Sequence, residues 1–281
     1  MFKSGFISIV GKTNVGKSTL LNTLIKQKIS ITSSKINTTL NPIMGICHGK
    51  EYQLIFFDNP GVYFKKNFLD FEYNSSAFKS IQDCDVILFV VDREYKKQDQ
   101  KILNILKKYN KKIFLVINKT DLLKNNFFVD KIILSYLNNF YFDEIIPLSC
   151  LLEKNVNILK DKILLYIKER EPYFSRNIYT NLTQEELIMD LIREKVLFYV
   201  NKEIPYCFRI LIENVILSKN LNLIEIFSLI LVQKESQKKI IIGKKGNKIK
   251  KIGIDSRKDI SKILNMNVSL NLYVKIDKQK K

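Results

Sequence analysis

Over the first 170 residues, short apolar runs alternate with stretches whose apolar positions recur every three or four residues. The runs are 6–10, 53–57, 86–91 (VILFVV), 113–117 and 145–148. Each is near-continuous in its apolar character, which suits strands of a parallel sheet covered on both faces. Between them, 17–27, 98–109, 129–138 and 156–168 have helical spacing. Strand and helix in alternation predict an α/β, doubly wound domain with a mostly parallel sheet.

The pattern then lapses. REPYFSRNIYTN (170–181) is polar, contains Pro172 and follows neither period. We read domains at 1–170 and 183–281 around a linker at 171–182. Beyond it, Thr183 and Glu186 have capping-box spacing, and Leu187, Leu191 and Phe198 lie on one side of the helix they open. Strand-like runs follow at 208–217 and 223–233, then a short helix containing KKIII, a helical segment at 254–264 and a last strand at 267–276. The order α-β-β-α-α-β predicts a small α+β domain.

Two glycine loops interrupt these elements. GKTNVGKS (11–18) satisfies G-x-x-x-x-G-K-[ST] and stands between a strand and a helix, the context a P-loop requires. Its amides and the helix N-terminus would hold phosphates, Lys17 would reach the β- and γ-phosphates, and Ser18 would ligate Mg²⁺. NKTD (118–121) directly follows an apolar strand. The carboxylate of Asp121 can accept from guanine N1–H and the 2-amino group, a donor pair that adenine lacks. Such a site can reject the wrong base by roughly 10⁴-fold or more. The loop therefore reads as part of a GTP/GDP site.

DNPG (58–61) fits D-x-x-G, with Asp58 holding Mg²⁺ through water and the Gly61 amide at the γ-phosphate. One of Thr38 and Thr39, with Thr39 the first choice, would close on Mg²⁺ when GTP is bound. SCL (149–151) would present backbone amides to the guanine oxygen. The nucleotide-contacting set is thus Gly11, Lys12, Thr13, Asn14, Val15, Gly16, Lys17, Ser18, Thr19, Asp58, Gly61, Asn118, Lys119, Asp121, Ser149 and Cys150. Val62 follows Gly61 and cannot orient a water as a glutamine can. Hydrolysis would rest on Lys17, Thr39 and Asn14, the last as a candidate ligand for K⁺ placed where an arginine finger would sit. Asn14 as a loop-shaping residue is the equal alternative.

Composition changes this picture little. The net charge of +19 points to an acidic partner, nucleic acid before membrane. Of 47 basic residues, however, only six are arginine, and Asn and Ile are also abundant. Part of the charge is therefore drift in codon usage on solvated faces. Four scattered cysteines without a CxxC pair exclude a zinc ribbon and suit a reducing cytoplasm. The first ten residues are too short for a signal peptide, and VILFVV is too short to span a bilayer.

The second loop, GKKG (243–246), lies inside QKKIIIGKKGNKIKKIG, an acid-free stretch with seven lysines. It lacks the GK[ST] ending and so places no hydroxyl for Mg²⁺. Between two helices, G-x-x-G fits a KH domain of type II, whose loop clamps about four nucleotides of single-stranded RNA. Lys238, Lys239, Gly243, Lys244, Lys245, Gly246, Lys248, Lys251 and Arg257 are the candidate RNA contacts.

With P-loop, D-x-x-G, NKxD and a KH-like domain on one chain, the sequence resembles the bacterial Era GTPases. GKTNVGKSTLLN, KISITSSKINTT, LIREKV, EIPY and the QKKIII-to-RKDI segment carry the resemblance over nearly the whole length. It implies GTP hydrolysis, binding of the 3′ end of small-subunit ribosomal RNA through the KH domain and assistance to small-subunit maturation. It also implies a monomeric cytoplasmic protein, with peripheral contact to the inner membrane left open. The chain departs from the family at Asn59, Leu40 and Cys150, where threonine, arginine and alanine are usual. Two alternatives stand beside this reading: an RNA assembly factor that binds GTP without hydrolysing it, and a tRNA-modification GTPase.

Overall fold

A computed structural model describes residues 1–32, 42–61, 64–65, 68–69, 80–200, 207–218 and 222–277. Thr38, Thr39, Leu40, Val62 and EIPY (203–206) lie outside the described residues. The chain forms two compact units that meet in sequence at Asn181 and Leu182.

In the first unit the strands are β1 (Lys3–Gly11), β2 (Ile43–His48), β3 (Tyr52–Asp58), β6 (Val86–Val91), β7 (Lys112–Ile117) and β8 (Glu144–Pro147), with β4 (Phe64–Lys65) and β5 (Phe68–Leu69) a separate short hairpin. The main sheet has the order β2-β3-β1-β6-β7-β8. β2 pairs antiparallel with β3, and every other pair is parallel. Helices α1 (Lys17–Ile25), α2 (Lys97–Lys107) and α3 (Asn126–Leu137) connect the sheet's strands, and α4 (Val156–Tyr166) follows the last of them. Every residue of β6 is buried, which is why its run has no polar interruption. On one face, Ile102, Leu103 and Leu106 of α2 and Tyr136 of α3 pack against Ile87, Phe89 and Leu115. Each such side chain contributes about 1.5–3 kcal/mol by leaving water.

The stretch read as a linker runs along this unit. Buried Gln53 on β3 accepts from the amides of Tyr173 and Phe174 (2.8 and 3.0 Å) and donates to the Phe174 carbonyl (2.7 Å). Ile46 N–H donates to the Tyr179 carbonyl at 2.8 Å, and Met44 N–H donates to Asn181 Oδ1 at 2.9 Å. Edge strand β2 thereby gains partners on its outer side.

The second unit contains α5 (Gln184–Tyr199), β9 (Phe208–Ser218), β10 (Leu223–Val232), α6 (Glu235–Ile242), α7 (Asn247–Leu264) and β11 (Asn267–Ile276). This is the expected α-β-β-α-α-β order. The expected capping box opens α5: Thr183 Oγ1 accepts from Glu186 N–H (3.2 Å), and Glu186 accepts from Thr183 N–H (2.8 Å). The sheet runs β11-β10-β9, with β10 antiparallel to β9 and parallel to β11. A parallel pair needs a long crossover, and α6, the glycine loop and α7 together form it. Leu191, Ile192 and Val196 of α5, Ile241 of α6, and Ile252 and Ile260 of α7 cover Ile224, Ile226 and Ile230 of β10. Helix α7 begins directly after the loop, well before the expected residue 254.

Candidate functional site

In a parallel sheet, the connections that leave the C-terminal strand ends gather along one edge. The candidate nucleotide residues lie there: Gly11 closes β1, Asp58 closes β3, Asn118 follows β7 and Ser149 follows β8. The phosphate loop folds around its own lysine. Lys17 Nζ donates to the Lys12 carbonyl at 2.8 Å. Burial lowers the Lys17 pKa to about 8, against an opposing pull from Asp58. Gly16 has φ 96° and caps α1, and a Cβ there would collide with the Asn118 amide nitrogen. The position demands glycine for both its backbone and its space.

The loop and NKTD are also tied together directly. Asn118 Nδ2 donates to the Val15 carbonyl at 2.9 Å. Lys119 Nζ reaches the Asn14 carbonyl at 2.5 Å and Asp92 Oδ2 at 2.7 Å. Asn14 and Lys119 both adopt left-handed backbone (φ 65° and 62°). Ser149 Oγ donates to Asp121 Oδ1 at 2.5 Å and accepts from Leu152 N–H at 3.2 Å, so the Asp121 carboxylate is held from behind. The Cys150 amide donates to Asn118 Oδ1 at 3.2 Å. Burial, with help from Asp121, pushes the Cys150 thiol up to about 12, leaving a neutral packing group. Lys12 points elsewhere, pairing with Asp99 of α2 at 2.8 Å. Thr13 packs on Gly61, and the Thr19 carbonyl accepts from Thr23 Oγ1 within α1.

Asp58 is fully buried. Its Oδ2 accepts from Ser18 Oγ at 2.6 Å and from Ser30 Oγ at 2.9 Å. Burial raises its pKa, opposed by Lys17, Ser18 and Ser30. Oδ1 has no hydrogen-bond partner among the described residues. A buried carboxylate oxygen left over beside a serine hydroxyl is what a hydrated Mg²⁺ requires, so these residues fit the ion.

Three residues of the site went unread in the sequence. Ser30 is buried and held by Asn22, whose Oδ1 accepts from the amides of Ile29 and Ser30 (both 2.9 Å) and whose Nδ2 donates to the Ser30 carbonyl (2.7 Å). Asp92, at the end of β6, shares its strand-end position with Asp58, a signal that was available. No signal within the sequence singled out Ser30 or Asn22. Asn59 is 1 % exposed and turned inward, donating to Ser8 Oγ (2.9 Å) and the Ile9 carbonyl (3.1 Å) and accepting from Ser80 Oγ (2.8 Å). Its side chain serves the interior rather than the phosphates.

In the second unit, GKKG turns between α6 and α7. Gly243 (φ 73°, ψ 177°) and Lys245 (φ 50°) bend the backbone, and a Cβ on Gly243 would press on Lys248 Cβ at 2.6 Å. Around Gly246 a Cβ would meet nothing within 4 Å, so that face is open to a ligand's backbone. Lys244 and Lys245 are exposed on the loop. Lys238 and Lys239 stand in the middle of α6, and Lys248 and Lys251 in the first turns of α7. Arg257 lies ten residues into α7. At 1.5 Å per residue that is roughly 15 Å from the loop, apart from the lysines.

Comparison with known proteins agrees with this division. The family profile described as "50S ribosome-binding GTPase" matches residues 6–119, and "KH domain" matches 203–281. The chain is 40 % identical to GTPase Era of Clostridioides difficile (strain 630), over 98 % of this chain and 94 % of that one. It is 41 % identical to GTPase Era of Clostridium kluyveri, over 99 % and 95 %. Among solved structures, Era in complex with MgGDPNP and nucleotides 1506–1542 of 16S ribosomal RNA superposes with a TM-score of 0.91 at 36 % identity, covering 99 % of this chain and 95 % of that one. A variant of Aquifex aeolicus Era bound to GDP and AlF4⁻ gives 0.89 at 35 % identity, with the same coverage. With this similarity running through both units, the chain belongs to the Era family of GTPases.

Proposed function

We propose that this protein is a GTP-hydrolysing switch that binds the 3′ region of small-subunit ribosomal RNA and assists maturation of the small ribosomal subunit. One observation carries the reading: a guanine-nucleotide site and a GKKG clamp occur on one chain that resembles, over its full length, an Era bound to 16S RNA. In this reading the units correspond to a GTPase domain (1–170), a connecting stretch (171–182) and a KH domain of type II (183–281).

On the first unit, Lys17 would hold the β- and γ-phosphates, and Asp121, braced by Ser149, would select guanine. Ser18, Asp58 and Thr39 would hold Mg²⁺, which neutralises phosphate charge in the transition state. Because Val62 cannot orient a water, we assign Asn14 to K⁺. Equal turnover in K⁺ and Na⁺ would remove that assignment. The non-hydrolysing alternative loses one of its grounds, since Asn59 is engaged in the interior. A tRNA-modification GTPase leaves the KH match at 203–281 unaccounted for.

On the second unit, Lys244, Lys245, Lys248 and Lys251, with Lys238 and Lys239, would neutralise phosphates around the open backbone at Gly243 and Gly246. Arg257 would contact RNA only beyond the loop. GTP would change RNA affinity through the loop containing Thr38 and Thr39 and the segment after Gly61. Crosslinking the protein to 16S RNA with GTP or GDP, and mapping the contacted bases, tests the whole reading. Contacts outside the 3′ region, or identical affinity in both states, would overturn it. We place the protein in the cytoplasm, as a monomer, with its ribosomal partner. Among the described residues no helix is long and apolar enough to cross a membrane. Peripheral contact by the lysine-rich surface would appear as flotation with anionic vesicles.

A further inference from the structure

At the C-terminal end of α1, away from the phosphate loop, a cavity of about 340 Å³ opens among Lys26, Cys47, His48, Tyr52, Lys160 and Tyr179. Lys160, on α4, is only 8 % exposed. Among the described residues its ammonium makes no hydrogen bond or ion pair. Its stem is packed away while the ammonium stays in reach of the cavity's water, so the charge is the part of the side chain that a ligand would meet. Lys26, the C-cap of α1, adds a second cation and offsets the partial negative charge of that helix end. Asp161 is the one acidic side chain in the lining.

His48 is not a third cation. One ring nitrogen, Nε2, lies 2.7 Å from the Ile178 carbonyl, which can only accept, so Nε2 carries the proton. The other, Nδ1, lies 3.3 Å from Gln53 Nε2 and accepts from it, so the ring is neutral. It stands edge-on to Tyr179 with centroids 5.4 Å apart. The cavity thus joins two lysines to aromatic walls, and its volume is at the small end for ligand pockets, room for one ring and one head group.

We propose that this cavity binds a small organic anion, with a carboxylate or phosphate group on Lys160 and Lys26 and a flat body against Tyr52 and Tyr179. The test is calorimetric titration of the full chain, saturated with Mg²⁺ and GDP, with phenyl phosphate, benzoate and inorganic phosphate. Saturable binding of phenyl phosphate or benzoate is expected, and which of them binds more tightly identifies the head group. Lys160→Met should weaken it by about tenfold or more, the effect of losing a hydrogen bond between charged groups, while Lys160→Arg should retain it. If Lys160→Met does not fold, surface-exposed Lys26→Ala should still weaken binding several-fold. The proposal fails if neither aromatic anion binds saturably, if excess GDP displaces them, or if the lysine substitutions leave affinity unchanged. Equal affinity for inorganic phosphate would overturn the role of the aromatic walls.

Discussion

Replacing Ser30 with alanine isolates one hydroxyl from the Mg²⁺ side of the site. Asp58 is fully buried, and its Oδ2 accepts from just two hydroxyls among the described residues, Ser18 at 2.6 Å and Ser30 at 2.9 Å. A hydrogen bond to a charged group is worth about 1.5–3 kcal/mol. Ser30→Ala removes that much stabilisation from ionised Asp58 and almost none from its protonated form. Burial already raises the Asp58 pKa, and the substitution raises it further. Mg²⁺ needs the ionised form, so protons compete with the metal. Where Asp58 is ionised with and without metal, the lost bond cancels and Mg²⁺ affinity should hardly change. Where protons win, apparent Mg²⁺ affinity should fall by about tenfold or more, at 1.4 kcal/mol per decade. The assay is initial GTP hydrolysis against Mg²⁺ concentration, repeated from mildly acidic to mildly alkaline pH. The acid limb should move to higher pH in Ser30→Ala, and in Asn22→Ala, which loosens the turn holding Ser30. Ser18→Ala should instead lose affinity at every pH, as a metal ligand would. An unchanged acid limb in Ser30→Ala, or a loss independent of pH, would refute the reasoning.

Three further outcomes follow from the same geometry. Lys17 titrates at about 8 in the folded chain against 10.5 unperturbed, so it is mostly neutral at pH 9 without nucleotide. A lowered folded pKa gives stability that is present above 10.5 and lost as pH falls through about 8, worth ~3 kcal/mol at ~1.4 kcal/mol per unit. Phosphates should return the proton, so calorimetry in buffers of different ionisation enthalpy should show uptake of about one proton on GDP binding at pH 9 and little at pH 7; no uptake at pH 9 would contradict the burial argument. Gly16→Ala should cost ~1–3 kcal/mol of stability and weaken GDP binding by about tenfold or more, since the methyl meets Asn118 at φ 96°; an unchanged GDP affinity by fluorescence titration would count against it. Lys244→Ala with Lys245→Ala should lower the slope of log affinity for a 16S 3′-end oligonucleotide against log salt by about 2, leaving GDP affinity intact; Lys17→Ala should do the reverse.

The parts of the fold that were legible in the sequence are those that a single physical demand controls. VILFVV was read with its bounds because all six residues are buried and none needs to be polar. β2 was not read as a strand, since its apolar run is interrupted by Gly45, where a Cβ would press on Leu21 and Ile29 at 2.7 Å. The start of α7 was hidden for a different reason. Its first turns carry lysines for solvent or a ligand, and only Ile249 and Ile252 there face the core, too few to display a period.

The site divides in the same way. GKTNVGKS, DNPG and NKTD could be read in order because each is a local loop whose spacing is confined to a few consecutive residues at a strand end. Ser30 and Asn22 act on side chains and amides that only the fold brings near, and no spacing along the chain encodes them, whereas Asp92 was marked only by its place after an apolar strand. Lys160 is the extreme case. In a chain with so many lysines a further one carries no information until its burial is known, because drift explains an exposed side chain and does not explain one whose stem is packed away. Burial is therefore a test that few lysines pass: Lys17 at 6 % exposed and Lys160 at 8 % do, and so does Lys12, which answers to Asp99. The loop lysines at 244 and 245 are exposed and do not pass it; their case rests on the glycines beside them, which leave the backbone open where a nucleic acid would approach.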